Sequence, residues 1–352
     1  MYPNGMRTKS FQFVFQGEDD RKGRELVKEV YEWSAMLKDE IWVFSQGHWA
    51  KDGALWRSIQ KAQWDDIVLD ESLVRRLKAN TTTFFASKSI YQALNVPWKR
   101  GILLLGPPGN GKTQTIQVLL KDAIASGLRS LYVKSFEGQR GAEHGIRMIF
   151  EWARTQAPCI VVLEDLDAMV TDEIRSFFLN ELDGLERNEG ILTLATTNHP
   201  ERIDDSILRR PSRFDQKYTF SLPTVELRER YVLKWLGKIE SAGNITFPGK
   251  TNEELAKEVA DKTADWSFAF LKELFLSFLL RSASDLSFAD SAAAEDSNKT
   301  SAEILMEQVD ILGEQVSRGG LPIGSHPPAP TIRKGMARMT LSPRIIQGAA
   351  ST

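Results

Sequence analysis

Eight consecutive residues, Gly106-Pro107-Pro108-Gly109-Asn110-Gly111-Lys112-Thr113, have the spacing G-x-x-x-x-G-K-T. They follow an apolar run over residues 101–105 and open a helical pattern over 114–125. Glycines at these positions let the chain turn tightly with its N–H groups facing inward, so the loop and the first helical turn cradle phosphate oxygens. Lys112 then brings positive charge to the β- and γ-phosphates of a nucleotide, and the Thr113 hydroxyl coordinates Mg²⁺.

Two further stretches could complete such a site. An apolar strand over 159–163 delivers adjacent carboxylates, Glu164 and Asp165. One acid of such a pair can hold the Mg²⁺ shell while the other orients, or takes a proton from, an attacking water; Glu164 is assigned to the metal and Asp165 to the water. A strand over 191–196 places the Asn198 amide at the same edge, where it could hold water against the γ-phosphate. Arg209, Arg210 and Arg213 then fall within five positions. Presented to a neighbouring subunit's nucleotide, arginines stabilise transition-state charge.

These residues need a scaffold that gathers strand ends. Strands are expected at 101–105, 131–134, 159–163, 191–196 and 217–220, with helices at 114–125, 142–156 and 172–184 between the first four. That alternation is the signature of an α/β fold, a parallel sheet sandwiched by helices with ligands at the carboxyl ends of its strands. After Pro223 helical patterns take over at 225–236, after a capping box at Thr251 and Glu254, and at 267–281, which implies a small C-terminal helical lid domain. The expected division is an N-terminal region with strands over 1–84, the nucleotide-binding α/β domain over 85–222, the helical lid over 223–282 and a largely flexible tail over 283–352. Within that tail, residues 302–316 have helical spacing that could dock Ile304, Val309, Ile311 and Leu312.

The N-terminal region is the least regular. Residues 11–15 alternate like a strand, 23–38 have helical spacing through Leu26, Val30, Trp33 and Leu37, and strands are expected at 41–44 and over 49–59. Trp33, Trp42, Trp49, Trp56 and Trp64 are expected to pack in cores and interfaces. Helices are expected at 71–78 and 87–94.

Composition sets the outer bounds. With 352 residues, 42% hydrophobic and 26% charged, the chain can bury a sizeable core. A net charge of −2 gives no whole-chain reason for nucleic-acid binding, which is disfavoured despite Lys134, Arg140 and Arg147. The one cysteine, Cys159, allows no internal disulfide, and no apolar run is long enough for a membrane span, so a soluble intracellular protein in a reducing compartment is expected.

The set of motifs resembles the AAA+ ATPases, specifically the classical AAA group, over residues 64–280. In that likeness residues 106–113 are Walker A, 161–165 Walker B, 195–200 sensor 1, and 203–215 the arginine-bearing second region of homology. The resemblance implies an ATP hydrolase using ATP and Mg²⁺, with Lys112, Thr113 and Glu164 at the phosphates and metal, and Asp165 and Asn198 at the water. It also implies Arg210 and Arg213 as fingers across the interfaces of a homo-oligomer, usually a hexameric ring, that remodels a protein client.

Three departures from that family qualify the resemblance. The acid pair runs Glu-Asp where Asp-Glu is commonest, which leaves an ATP-binding switch or scaffold with weak hydrolysis as the alternative function. In the lid, Asp265 and Phe268 stand where the family has glycines, on the side where the base is expected. Residues 135–141 fall where unfoldases carry an aromatic pore loop, yet Gln139 and Arg140 precede Gly141, with Phe136 the nearest aromatic.

Overall fold

The computed structural model describes residues 14, 19–184, 188–208, 210, 212–243, 245–288 and 299–318. The chain begins with α1 (Arg21–Ala35), the hairpin β1 (Ile41–Ser45) and β2 (His48–Asp52), then α2 (Gly53–Lys61), α3 (Glu71–Ala86) and α4 (Lys88–Ala93). The α/β alternation follows as β3 (Lys99–Leu105), α5 (Lys112–Ala125), β4 (Arg129–Val133), α6 (Ala142–Gln156) and β5 (Cys159–Leu163). It continues with α7 (Leu166–Met169), α8 (Asp172–Asp183), β6 (Ile191–Thr197), α9 (Asp205–Leu208) and β7 (Gln216–Thr219). Four helices close the described chain: α10 (Val225–Ser241), α11 (Asn252–Lys262), α12 (Phe268–Phe288) and α13 (Ser301–Arg318).

One seven-stranded sheet runs β2-β1-β4-β5-β6-β3-β7, parallel throughout except for the β1/β2 hairpin. Its central strands are rich in apolar residues, β5 without a break, because both faces are covered. Along β5, Cys159, Val161 and Leu163 face a core built with Ile146 and Phe150 of α6 and Phe178 of α8. Ile160 and Val162 face the opposite core, with Ile116 and Leu120 of α5, Ile59 of α2 and Leu77 of α3. The strand period of two thus sorts alternate side chains into two helical layers.

The strands expected in the first 84 residues are not a separate sheet. β1 pairs in parallel with β4, Trp42 opposite Leu131, and so extends the nucleotide-binding sheet; the division at residue 84 runs through one layered structure. The strand expected over 49–59 also ends early. Asp52 accepts from the Leu55 N–H at 2.8 Å and caps α2, so residues after 52 are helical. Trp42, Trp49, Trp56 and Trp64 pack partly buried against the two cores, as expected, but Trp33 on α1 is 64% exposed. The strand expected at 11–15 lies outside the described residues apart from Val14.

The lid has its own core, in which Val232 and Leu236 of α10, Leu255 and Val259 of α11, and Leu271 and Phe275 of α12 are buried together. α13 completes it from within the stretch expected to be tail, burying Ala302, Leu305, Val309 and Leu312. Ile304 is only partly covered and Ile311 is exposed, because the buried stripe takes positions three and four apart beginning at Ala302. The rest of that expected tail, 289–298 and 319–352, lies outside the described residues. No helix among the described residues is long and apolar enough to cross a membrane.

Candidate active site at the carboxyl edge of the sheet

β3 ends at Leu105 and α5 begins at Lys112, so the glycine loop bridges a central strand and a helix N-terminus. Gly106 has φ 141°, and a Cβ there would fall 2.1 Å from the Phe220 carbonyl oxygen, where the chain leaving β7 crosses the loop. No larger residue fits. Gly109, with φ 79°, faces the lid: its carbonyl accepts from the Ala269 N–H at 3.1 Å, and an added Cβ would meet Ala269 Cβ at 2.6 Å. The lid therefore rests directly on the phosphate loop.

Lys112 is 6% exposed, and its ammonium donates to the carbonyls of Gly106 and, at 2.9 Å, Pro107. Burial pushes its pKa down to about 8, against the opposing pull of Asp165, Asp167 and Glu164. A buried cation whose hydrogen bonds among the described residues go to its own loop's carbonyls, with three carboxylates near it, suits a site that receives an anion together with a metal.

The neighbouring strands supply the rest. Asp165 sits in the left-handed region at φ 53°, its N–H donating to Thr196 Oγ1 at 3.0 Å. Asn198 Nδ2 donates to Asp165 Oδ1 at 2.8 Å, and Thr197 Oγ1 donates to Asp167 Oδ1 at 2.6 Å. The end of β6 thus fixes the acidic turn after β5 through three side chains. Thr196 and Thr197 escaped the sequence reading; an acid-bearing strand end beside a Thr-Thr-Asn strand end was the available signal. Lys112, Thr113, Asp165 and Asn198 line one cleft of about 420 Å³, closed on the other side by Tyr231 and Phe268.

Other expected residues lie elsewhere. Asn110 is buried, its amide 3.5 Å from the Pro107 carbonyl, and helps shape the loop. Glu164 lines an adjoining cavity of about 350 Å³ rather than the cleft itself. Its Oε2 accepts from the Tyr132 hydroxyl, while Oε1 is enclosed and has no hydrogen-bond partner among the described residues. Such an orphaned carboxylate oxygen fits a ligand to a metal ion, and with the Thr113 hydroxyl in the cleft the residues present fit Mg²⁺-nucleotide. Arg210 is exposed. Arg213 is not: it is 6% exposed, holds Asp183 at 2.8 Å and donates to the Ser206 carbonyl. The second arginine expected as a finger is thus engaged within its own chain. Arg209 lies outside the described residues.

The lid substitutions have separate consequences. Asp265 has φ 62°, a conformation that favours glycine but that Asp tolerates. Phe268 does change the cavity, filling its wall with a ring 5.0 Å from that of Tyr231.

Residues 102–222, from β3 to just past β7, match the ATPase family associated with various cellular activities (AAA). The chain carries an AAA-type ATPase domain. It is 30% identical to the ATP-dependent zinc metalloprotease FtsH of Marinobacter nauticus over 237 residues, 63% of this chain and 35% of that protein. It is 33% identical to the ATPase family gene 2 protein of Saccharomyces cerevisiae over 223 residues, 59% of this chain and 27% of that protein. Against the ATP-dependent zinc metalloprotease YME1L1 of Mus musculus it is 33% identical over 208 residues, 51% of this chain and 28% of that protein. The chain spans between about a quarter and a third of the length of these relatives. What this chain shares with them is a stretch of 208 to 237 residues, and the family match over 102–222 falls on the α/β sheet.

Proposed function

We propose that the protein hydrolyses Mg²⁺-ATP within a homo-oligomeric ring and uses the cycle to remodel a protein client. The convergence of Lys112, Thr113, Asp165 and Asn198 on one cleft beneath the lid carries this reading. In it, Lys112 leaves its loop carbonyls for the phosphates, and Thr113 and Glu164 hold Mg²⁺, which when bound neutralises phosphate charge. Asp165 orients the attacking water and takes its proton, with its carboxylate held in place by Asn198. Water exclusion comes from the lid, whose Ala269 already touches the loop.

Arg210 supplies the finger to the neighbouring subunit, since its exposure leaves it available to a partner, while Arg213 holds the same loop in place through Asp183. Client contact falls to Gln139 and Arg140, which are exposed; Phe136 is 1% exposed and packs 5.5 Å from the Phe178 ring. Such a loop offers a polar grip rather than an aromatic one. The test is particle imaging of the Asp165→Asn protein with Mg²⁺-ATP, with identification of the proteins that co-purify. Closed rings with an enriched client support the proposal, and monomers at saturating ATP contradict it.

The second reading, an ATP-dependent switch with weak hydrolysis, is favoured by one observation: Glu164 is bonded to Tyr132 and lines the adjoining cavity, not the cleft that holds Lys112 and Thr113. Slow turnover with tight ATP binding would select it.

A further inference from the structure

We propose that Tyr132 is a positioning residue for the metal shell, fixing Glu164 so that its Oε1 is the oxygen offered to Mg²⁺. This rests on the reading above that Glu164 serves the metal. Tyr132 belongs to β4, which pairs in parallel with β5 and sets Tyr132 opposite Val162. In a strand, side chains two residues apart share a face, so Glu164, two positions beyond Val162, leaves the strand on the side of Val162. That is the side covered by α5, since Val162 packs in one core with Ile116, Leu119 and Leu120. The first turn of α5 carries Lys112 and Thr113. Glu164 therefore projects toward the helix that holds the other metal candidate, whereas the left-handed backbone at Asp165 turns the second acid into the cleft.

A free carboxylate at a strand end would sample several rotamers and share its two oxygens among them. Here Oε2 is taken by the Tyr132 hydroxyl and Oε1 is enclosed without a partner among the described residues. Leaving a buried carboxylate oxygen unbonded has a cost that a bound cation would relieve. Tyr132 is itself suited to a fixed donor role. Its ring is half-buried in the same core as α5, which keeps the hydroxyl in place. Hydrogen-bond partners that orient a metal ligand in this way change metal affinity about 10-fold or more when removed.

The experiment compares wild type, Tyr132→Phe, Glu164→Gln and the double variant, with Mn²⁺ as the metal probe. Mn²⁺ affinity is read by electron paramagnetic resonance in the presence of a non-hydrolysable ATP analogue, and analogue binding is read again with the metal chelated. Tyr132→Phe is expected to weaken Mn²⁺ about 10-fold while leaving metal-free analogue binding and the melting temperature close to wild type. The double variant is expected to bind Mn²⁺ no more weakly than Glu164→Gln alone, because the tyrosine acts only through that carboxylate. Wild-type Mn²⁺ affinity in Tyr132→Phe, with Glu164→Gln impaired, overturns the role of Tyr132 and leaves that of Glu164 standing. Wild-type affinity in Glu164→Gln overturns both. A fall in melting temperature with additive losses in the double variant would assign Tyr132 a packing role instead.

Discussion

Asn198 on the exit from β6 donates its side-chain amide to Asp165 Oδ1 at 2.8 Å, joining the ends of β5 and β6, the two strands that precede β3 in the sheet order. If Asp165 accepts the proton of the attacking water, the amide of Asp165→Asn cannot, and turnover should fall about 100-fold or more with ATP binding retained. Asn198→Ala should lower turnover by roughly 10-fold or more, since a positioned donor is lost and the carboxylate is freed. Single-turnover hydrolysis with equilibrium ATP binding separates these effects; wild-type turnover in Asp165→Asn would move the role to Asp167.

The buried Lys112 makes nucleotide binding a proton-linked event. Its pKa is about 8 in the free protein instead of 10.5, and phosphate oxygens raise it again on binding. At pH 8 binding should take up about half a proton, and far less at pH 6.5. Calorimetry in buffers of different ionisation enthalpy measures this uptake directly. For the ligand-free protein the sign is set by the lowered pKa. The cost of burying this charge is fully present below pH 8 and is relieved as pH rises from about 8 toward 10.5.

Arg210 and Arg213 should separate by readout. Arg210→Ala is expected to cut turnover about 100-fold or more with an unchanged melting temperature. Mixed with the Lys112→Ala chain, it should regain activity at shared interfaces. Arg213→Ala leaves Asp183 without its partner and should cost about 2 kcal/mol, less than a fully buried pair because Asp183 keeps a third of its side chain in water. Thermal denaturation of both variants, beside phosphate release, distinguishes the two roles.

Phe136→Ala should behave as a core truncation. The side chain is 1% exposed and its ring sits 5.5 Å from that of Phe178, so its loss should cost about 3–5 kcal/mol in chemical denaturation. A stable variant that hydrolyses ATP but no longer acts on its client would instead place Phe136 in the client path.

The parts legible in the sequence were those decided by neighbours in the chain. The apolar runs over 102–105 in β3 and 159–163 in β5, the apolar and threonine residues of β6, and the glycines before Lys112 declare buried parallel strands and a phosphate loop without reference to anything distant. What was not legible depended on partners far along the chain. The strands expected at 41–44 and from 49 onward come from local pattern, but the pairing of the first with β4 needs the register of Trp42 on Leu131. Arg213 looks like a surface arginine until Asp183, thirty positions earlier, is brought against it. The contact of Tyr132 with Glu164 likewise requires the parallel pairing of β4 and β5. Asp52 is the exception, since a cap for α2 was local and a continuing strand pattern hid it.

Steady-state phosphate release from the purified chain, with Mg²⁺-ATP and with the metal chelated, tests the proposed hydrolysis most directly when set beside Lys112→Ala. The expected result is metal-dependent release by wild type that falls to background in the variant, because the cleft then lacks the buried cation proposed to meet the phosphates. Release that is equal in wild type and Lys112→Ala, or that is unaffected by removing the metal, would contradict hydrolysis at this cleft.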